Sequence, residues 1–348
     1  MTSAEDYLIL DIGTSWTKAF LVSGVPQGLI KEAIMLPTSQ EDIRYSSGTL
    51  IKAISSKAKS PRILVTSTFN EAEALAKPLS ATFVSKEIVS KELSDWFALQ
   101  SLVNPTLLDG GASNYLRNFR VSDVGAFLSF RMSEIELENF IGNKALFSQS
   151  IPENKNYLEI DEALLRAAFS IYPDLHNPTK FNTVIVTGGL FSWEQKPTRV
   201  ALLLLDLMAF GKVVQVLQDQ RAFLNSYGAL ISQKKDFKGI DFSILKNLGV
   251  LVSLGGAGKV SLDYGLAQIQ EVVITENEIA LIPVEESQKV NLTIHYKQKV
   301  KFSVSGGKWG IILDGRRKPL NLEFGQERSR AQVSSWQQAL DNVELFEI

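Results

Sequence analysis

Two short segments place a carboxylate beside glycines and hydroxyl residues directly after an apolar run. The first segment, DIGTSWTK, contains Asp11, Gly13, Thr14, Ser15 and Lys18. A turn rich in glycine and threonine exposes backbone N–H groups, and a concave cluster of such donors binds phosphate oxygens. Asp11 is suited to hold Mg²⁺ through water, because this ion prefers carboxylate, water and phosphate ligands. Lys18 would balance phosphate charge, and an ordinary polar hairpin turn is the simpler alternative.

The second segment and a third one offer related chemistry. The second, DGGAS, contains Asp109, Gly110, Gly111 and Ser113, and the third contains Gly188 and Gly189. Glycines let a phosphate approach the backbone closely. At the carboxyl end of a parallel strand they also let a base or ribose lie against the chain. Glycine turns between strands remain the alternative for both. The recurrence of a strand ending in Asp-x-Gly, at Asp11 and Asp109, indicates a duplicated half-fold.

The elements that must position these residues alternate between strands and helices. Tyr7–Asp11 and Thr17–Val22 predict a β-hairpin around the first segment. Further strands are predicted at 63–66, 106–109, 115–119, 125–130, 183–187 and 213–217. Helices are predicted at 46–58, 83–102, 132–141, 161–171, 198–210 and 221–232. This alternation is typical of an α/β protein.

After residue 234 the pattern changes to short apolar runs separated by polar or glycine-containing gaps. These runs predict an all-β module, a small barrel or a sandwich, followed by a helix at 332–342. The predicted domains are 1–105 and 106–235, each an α/β half, and 236–348, the β-rich module with its closing helix. The segment 255–261 (GGAGKVS) departs from a phosphate-binding P-loop and is interpreted as a hairpin turn.

Composition excludes several classes of function. The 36 basic and 38 acidic residues give a net charge of −2, so no bulk positive field favours nucleic acid. The absence of cysteine excludes thiolate and Cys–zinc chemistry, and two histidines, His176 and His295, make a His-rich metal site untenable. No apolar run reaches the roughly 20 residues that span a bilayer. We expect a cytoplasmic protein without nucleic acid or membrane partners.

The three segments, in this order, resemble the actin-like ATPase superfamily of sugar kinases, heat-shock chaperones and actin. The resemblance implies duplicated actin-like (ribonuclease H-like) halves that bind ATP with Mg²⁺ between them. It implies a first phosphate site at Asp11, Gly13, Thr14 and Lys18, and a second at Asp109, Gly111 and Ser113. It also implies that Gly188 and Gly189 meet the base or ribose, and that Asp11 and Asp109 hold the metal through water.

Three stretches resemble the glutamate mutase L family within that superfamily. They are 11–18, 218–230 (QDQRAFLNSYGAL) and 310–320 (GIILDGRRKPL). This resemblance implies an ATP-driven chaperone or reactivating factor for a cobalamin-dependent carbon-skeleton mutase. The second phosphate segment departs from the family pattern, which favours threonines and a further Asp, and this departure puts hydrolysis in doubt more than binding.

Other functions stay open at the level of sequence. They are a pseudo-ATPase that has lost its nucleotide, an actin-like assembly scaffold and a small-molecule kinase. Hydrolysis needs a group that orients water at the γ-phosphate, and Glu71, Glu73 and Asp95 lie in the right region of the chain. The basic stretch 316–318 is interpreted as a solvated turn, with an acidic partner as the alternative. His176 is interpreted as a loop residue and His295 as a strand residue.

Overall fold

A computed structural model describes most of the chain, and its strands form three sheets. The described residues are 5–25, 29–38, 42–58, 60–67, 69, 71–99, 102, 105–112, 116, 119–170, 183–192, 197–208, 211–234, 244–265, 268–295, 299–317 and 322–344. The strands are β1 Glu5–Ile12, β2 Trp16–Val25, β3 Leu29–Pro37, β4 Arg62–Ser67, β5 Thr82–Val84, β6 Pro105–Asp109, β7 Thr183–Thr187, β8 Lys212–Asp219, β9 Leu245–Ser253, β10 Gly258–Asp263, β11 Ile269–Ile274, β12 Ile279–Ile282, β13 Lys289–His295, β14 Lys299–Ser305 and β15 Ile311–Asp314.

All but the last of the described helices lie between strands in the first two thirds of the chain, and the last follows β15. They are α1 Ile43–Ser55, α2 Ala72–Ala76, α3 Lys86–Leu99, α4 Val121–Gly125, α5 Glu134–Leu146, α6 Lys155–Ser170, α7 Gly189–Ser192, α8 Pro197–Leu207, α9 Leu224–Gln233 and α10 Glu327–Glu344, with a 3₁₀ turn at Lys77–Leu79. Within the described ranges, no helix combines the length and the apolar character needed to cross a bilayer. The mixture of helices and sheets confirms the predicted α/β class.

β1 is the central strand of the first sheet, whose order is β3-β2-β1-β4-β5. β2 and β3 pair in antiparallel directions, whereas β4 and β5 continue the sheet in parallel. β1 is apolar on both faces, because Leu8 and Leu10 join the core under α1 while Tyr7 and Ile9 join the core under α3. The predicted hairpin is confirmed, and its turn lies at the edge where β4 also ends.

The second sheet has the order β12-β15-β9-β8-β7-β6, in which β6, β7 and β8 are parallel. Here the prediction of a strand at 125–130 is wrong. That segment begins at the last residue of α4, and Val121, Val124 and Leu128 are spaced three and four apart, as on a helix. Val124 and Leu128 are buried in the core. The predicted strand 115–119 falls mostly outside the described residues.

The strands predicted after residue 234 are confirmed, but a separate all-β module is not. β9, β12 and β15 continue the second sheet, while β10, β11, β13 and β14 form a four-stranded antiparallel sheet. The two sheets share one apolar core, in which Val260 and Leu292 lie with Val250, Val252 and Leu313. Of the segment 255–261, only residues 255–257 form a turn, because residues 258–261 already belong to β10, so the interpretation of the whole segment as a turn is wrong in its second half. Since β10 follows directly, no helix follows the glycines.

A shared core joins the first sheet to the second. It combines Ile9 and Phe20 of the first sheet with Trp96 of α3, and with Phe223 and Tyr227 at the start of α9. Phe20 meets Phe223 edge-on at 4.6 Å, and Trp96 meets Tyr227 at 4.9 Å between ring centroids. Helices α3 and α9 approach so closely that a Cβ on Gly228 would lie 2.8 Å from Val89 Cγ1. Apolar packing therefore fixes how the two sheets face each other.

A buried chain of alternating charges ties the C-terminal strands to α6 and α8. In order, it consists of Arg199, Glu162, Arg166, Asp206, Arg316 and Asp314. Arg316 is fully buried and binds both oxygens of Asp314, at 2.8 and 3.0 Å, as well as Asp206 at 3.0 Å. Its guanidinium also lies 4.7 Å from the centroid of the Trp336 ring.

The interpretation of the basic stretch as a solvated turn is therefore wrong at Arg316, and so is the alternative of an acidic partner there. The partners of Arg316 lie within the chain, at Asp206 and Asp314. Arg317 is exposed and pairs with Glu276, and residue 318 lies outside the described residues. The Asp314–Arg316 segment, which contributes to the family resemblance, has a structural role in this chain.

Arg316→Met should destabilise the fold strongly, because it leaves the carboxylates of Asp206 and Asp314 buried without their common cation. The expected loss in the free energy of unfolding is roughly 3–5 kcal/mol, measured by urea denaturation. Arg317→Met is the matched control, since the neighbouring arginine is exposed, and its effect should stay within about 0.5 kcal/mol. Equal effects of the two substitutions would contradict the role of the buried charge chain.

Candidate functional site

The ends of β1, β6 and β7 meet at one cleft between the first two sheets. Its lining residues are Asp11, Gly13, Thr14, Ser15, Trp16, Lys18, Asp109, Gly111, Ala112, Thr187, Gly188, Gly189, Ala222 and Asn225. All three segments singled out in the sequence thus contribute to a single site. Gly110 lies outside the lining, where its N–H donates to the Thr187 carbonyl at 2.8 Å. Ser113 lies outside the described residues.

The turn of the first hairpin is held rigidly from behind by Thr38, at the end of β3. Thr38 Oγ1 donates to the Gly13 carbonyl at 2.8 Å, and Thr38 N donates to the Ser15 carbonyl at 2.9 Å. Gly13 N donates within the turn to the Trp16 carbonyl, so this N–H is already engaged. Thr14 Oγ1, in contrast, is shielded from solvent and has no hydrogen-bond partner among the described residues. Thr14 is thus a residue of the cleft lining whose hydroxyl is unpartnered in this structure.

Lys18 is the cation of the cleft. It stands directly opposite Asp11 in the hairpin, and its Nζ donates to Asp11 Oδ2 at 3.1 Å. The same Nζ donates to the Ala222 carbonyl, also at 3.1 Å, and so reaches from the first sheet to the loop after β8. Burial disfavours the charged ammonium, but Asp11, Asp219 and Asp109 outweigh it and raise the pKa of Lys18. Lys18 is therefore positively charged at neutral pH.

The loops after β6 and β7 are packed against each other. Asp109 Oδ1 accepts a hydrogen bond from Gly111 N at 2.9 Å, which folds the chain back over the carboxylate. Gly188 has a φ of +87°, and a Cβ at this position would lie 2.3 Å from Asp109 Oδ1 and 2.5 Å from Gly111 N. Only glycine fits both the backbone conformation and the space.

Asp219 is a central residue of the site that sequence reasoning missed. It ends β8, is fully buried, and accepts hydrogen bonds from Thr187 Oγ1 at 2.8 Å, Phe223 N at 3.0 Å and Leu224 N at 2.8 Å. Burial raises its pKa, against the opposing effects of these hydrogen bonds and of Lys18. A signal existed, because β8 ends in Asp as β6 does, and Asp11 is the next-to-last residue of β1, but no glycine follows Asp219.

The tip of the first hairpin contacts a loop that connects α5 and α6. Ser15 Oγ donates to Ser148 Oγ at 2.9 Å, and Ser148 Oγ lies 3.4 Å from the Thr14 carbonyl, to which it donates. The loop itself is held by Lys144, whose Nζ donates to the Ser150 carbonyl and to Asp161. The tip of the hairpin is thus in direct contact with the second half of the chain.

Several candidates from the sequence lie elsewhere. Glu71, Glu73 and Asp95 are exposed and do not line the cleft, whereas Asn225, which was not singled out, does. His295 is a strand residue, as predicted, and its Nε2 lies 2.7 Å from Ser261 Oγ. His176 lies outside the described residues. In the described parts of the chain, no three His, Asp or Glu side chains are grouped to hold a metal ion by themselves.

Comparison with known proteins gives distant structural similarity only. No protein-family model and no curated protein matches the chain. Component A of (R)-2-hydroxyglutaryl-CoA dehydratase from Acidaminococcus fermentans matches at 14% identity and a TM-score of 0.40, over 67% of this chain and 100% of its own. The ADPNP-bound activator of 2-hydroxyisocaproyl-CoA dehydratase from Clostridium difficile matches at 11% identity and a TM-score of 0.38, over 68% of this chain and 99% of its own.

A ROK family glucokinase from Streptomyces griseus, in complex with glucose and AMPPNP, matches at 12% identity and a TM-score of 0.37, over 64% of this chain and 97% of its own. These neighbours have the actin-like ATPase fold. None of them bears on the glutamate mutase L family. At such low TM-scores the similarity is partial, and the chemistry of the cleft follows from its own residues.

Gly188→Ala should destabilise the protein, whereas Gly189→Ala should not. The backbone at position 188 has a positive φ, and a Cβ there would collide with the Asp109 carboxylate. A Cβ at position 189 has open space around it. We expect Gly188→Ala to lower the free energy of unfolding by at least about 2 kcal/mol, measured by urea denaturation. A change at 188 no larger than that at 189 would show that the two loops do not pack as described.

Proposed function

We propose that this cleft binds ATP together with Mg²⁺. The observation that carries the proposal is the convergence of three separate strand-end segments on one cleft, which also contains the ammonium group of Lys18. A buried ammonium, a rigid hairpin turn with an unpartnered hydroxyl and two glycine-containing loops line the same space. Each feature alone suits many proteins, but together they provide a cation, hydroxyl donors and close backbone approach, which a polyphosphate needs.

The charges of the cleft favour a metal-bound nucleotide over a free one. Asp11, Asp109 and Asp219 all act on Lys18 electrostatically, so carboxylates outnumber the ammonium around it. A free polyphosphate would be repelled by this balance, whereas Mg²⁺ bound to phosphate oxygens would offset it. Asp11 and Asp109 are the carboxylates in the lining and would hold the hydrated ion through water. The metal would enter with the phosphates, since the described side chains form no metal site of their own.

The loop after β7 is suited to the nucleoside. Gly188 and Gly189 follow the buried strand β7 and line the cleft without side chains. A flat base or a ribose can therefore lie against their backbone. In this arrangement the phosphates point toward Lys18 and the hairpin turn, and the adenosine lies over the glycines.

The two parallel strand triplets support a common origin of the two halves. In the first sheet β1 is followed in space by β4 and β5, and in the second sheet β6 is followed by β7 and β8. Both leading strands carry an Asp of the cleft at or next to their last residue, Asp11 and Asp109. We infer that the two halves derive from one ancestral unit.

The contact at the tip of the first hairpin favours nucleotide binding over transfer to a second substrate. A phosphoryl acceptor would need to approach beside the hairpin turn, where Ser15 and Ser148 are in direct hydrogen-bonded contact. We therefore favour a nucleotide-dependent switch over a small-molecule kinase as the function. Because a ligand that touches both halves favours the closed arrangement, nucleotide binding would stabilise this contact.

We propose a chaperone or reactivating factor of a cobalamin-dependent mutase as the physiological role. Its support is the resemblance of residues 11–18, 218–230 and 310–320 to the glutamate mutase L family. A pseudo-ATPase and an assembly scaffold are the alternatives. The direct test is capture of a mutase subunit by the tagged protein in the presence of ATP–Mg²⁺, with Lys18→Met as the control bait. Equal capture by both baits would argue against a nucleotide-driven role.

Titration calorimetry with ATP–Mg²⁺ tests the nucleotide site. Lys18→Met should weaken binding by about 10- to 100-fold, because it removes a charged donor that is worth roughly 1.5–3 kcal/mol. Lys57→Met is the matched control, since Lys57 forms an exposed ion pair with Glu32 and should leave the affinity unchanged. Absence of binding to the folded wild-type protein would overturn the proposal and favour a pseudo-ATPase.

The same titration in EDTA tests the requirement for the metal. Without Mg²⁺, the excess of carboxylates around Lys18 repels the phosphates, so we expect at least about tenfold weaker binding. Restoring Mg²⁺ should restore the affinity. Equal affinity with and without Mg²⁺ would contradict the placement of the phosphates beside Asp11 and Asp109.

A further inference from the structure

Asp219 does not line the cleft, but its carboxylate connects the loop after β7 with the start of α9. Its carboxylate accepts the hydroxyl hydrogen of Thr187, the residue that precedes Gly188. It also accepts the N–H groups of Phe223 and Leu224, where α9 begins. One fully buried carboxylate therefore fixes both the glycine loop after β7 and the start of α9.

The loop between Asp219 and α9 has a conformation that needs such support. Ala222 has a φ of +48°, a region that a non-glycine residue adopts at an energetic cost. In this conformation the Ala222 carbonyl accepts the hydrogen bond from Lys18 Nζ at 3.1 Å. The next turn brings Asn225, a half-buried amide, into the cleft lining.

We propose that Asp219 is a positioning residue for nucleotide binding. It holds the Ala222 carbonyl against Lys18 and Asn225 at the cleft, and so sets the position of the ammonium that meets the phosphates. This inference rests on the proposed nucleotide site. It adds that the affinity depends on a carboxylate that touches neither the nucleotide nor the metal.

The geometry explains why a carboxylate serves better than another side chain here. Two backbone N–H groups and one hydroxyl converge on the two oxygens, and only an acceptor with two oxygens can serve all three donors. The negative charge of Asp219 also stabilises the charged form of Lys18. An amide would lose one acceptor oxygen and the charge while keeping the shape of the side chain.

Asp219→Asn tests the proposal, with two readouts. Without nucleotide, the rate at which an amine-reactive acylating reagent modifies Lys18 at pH 8 is measured by mass spectrometry of the peptide. Acylation needs an accessible amine, and in the wild type the hydrogen bonds of Lys18 Nζ to Asp11 and to the Ala222 carbonyl hinder the attack of the amine on the reagent. We expect the rate at Lys18 to rise several-fold, and the ATP–Mg²⁺ affinity by calorimetry to fall about tenfold.

Glu159→Gln is the matched control. Glu159 is a buried carboxylate of the same half that accepts one backbone N–H and one hydroxyl hydrogen, both from Ser129, and it does not line the cleft. The Glu159→Gln variant should be destabilised to a similar extent as Asp219→Asn. The acylation rate of Lys18 and the affinity for ATP–Mg²⁺ should stay unchanged. Thr187→Val, which removes one of the three donors, is the second variant if Asp219→Asn fails to fold, and it should shift both readouts in the same direction.

The two readouts separate this inference from the proposed function. Faster acylation of Lys18 together with weaker ATP–Mg²⁺ binding supports the positioning role. If the acylation rate and the ATP–Mg²⁺ affinity of Asp219→Asn equal those of Glu159→Gln, the positioning role is overturned. Faster acylation with unchanged ATP–Mg²⁺ affinity overturns it as well. If the wild type binds no ATP while Asp219→Asn still accelerates acylation, Asp219 positions Lys18 but the proposed nucleotide function fails.

Discussion

One buried ammonium group connects the two sides of the cleft. Lys18 donates both to Asp11 on its own sheet and to the Ala222 carbonyl on the other side, so its position depends on both sheets at once. A buried lysine is stable only with such partners, because the desolvation of the charge must be offset. The neighbouring carboxylates supply that compensation and leave a cation at the point where the three strand-end segments meet.

The cores on either side make this contact possible. Apolar residues of the first sheet, α3 and α9 form a single cluster, and the close approach of α3 and α9 at Gly228 sets the distance between the sheets. Behind the second sheet, the buried charge chain through Arg316 fixes the C-terminal strands. The cleft is therefore formed by elements whose positions are determined by packing elsewhere, while its own loops carry the polar groups.

Sequence reasoning found the elements whose signals are local. The hairpin of β1 and β2 follows from two apolar runs around a polar turn, and the meeting of Asp109 and Gly188 follows from the rule that parallel strands end at one edge of a sheet. Asp11 belongs to the other sheet and joins them through the packing of the two sheets. The strand predicted at 125–130 was wrong, because the composition of this segment suits a strand although the spacing of Val124 and Leu128 suits a helix. The burial of Arg316 was hidden because Asp206, one of its partners, lies far away in the sequence.

The importance of Asp219 could not be found from local pattern either. Its three donors come from the end of β7 and the start of α9, and its effect on Lys18 crosses from one sheet to the other. The sequence shows only a strand that ends in Asp, a pattern it shares with Asp11 and Asp109. Long-range hydrogen bonding and charge balance decide the site here, and both depend on the tertiary structure.

Hydrogen–deuterium exchange with and without ATP–Mg²⁺ tests the central claim most directly. Nucleotide bound in this cleft should slow exchange in the three segments 13–18, 109–112 and 187–189 together, because each contributes backbone to the same site. Protection confined to one segment, or to residues elsewhere in the chain, would contradict a shared nucleotide site around Lys18.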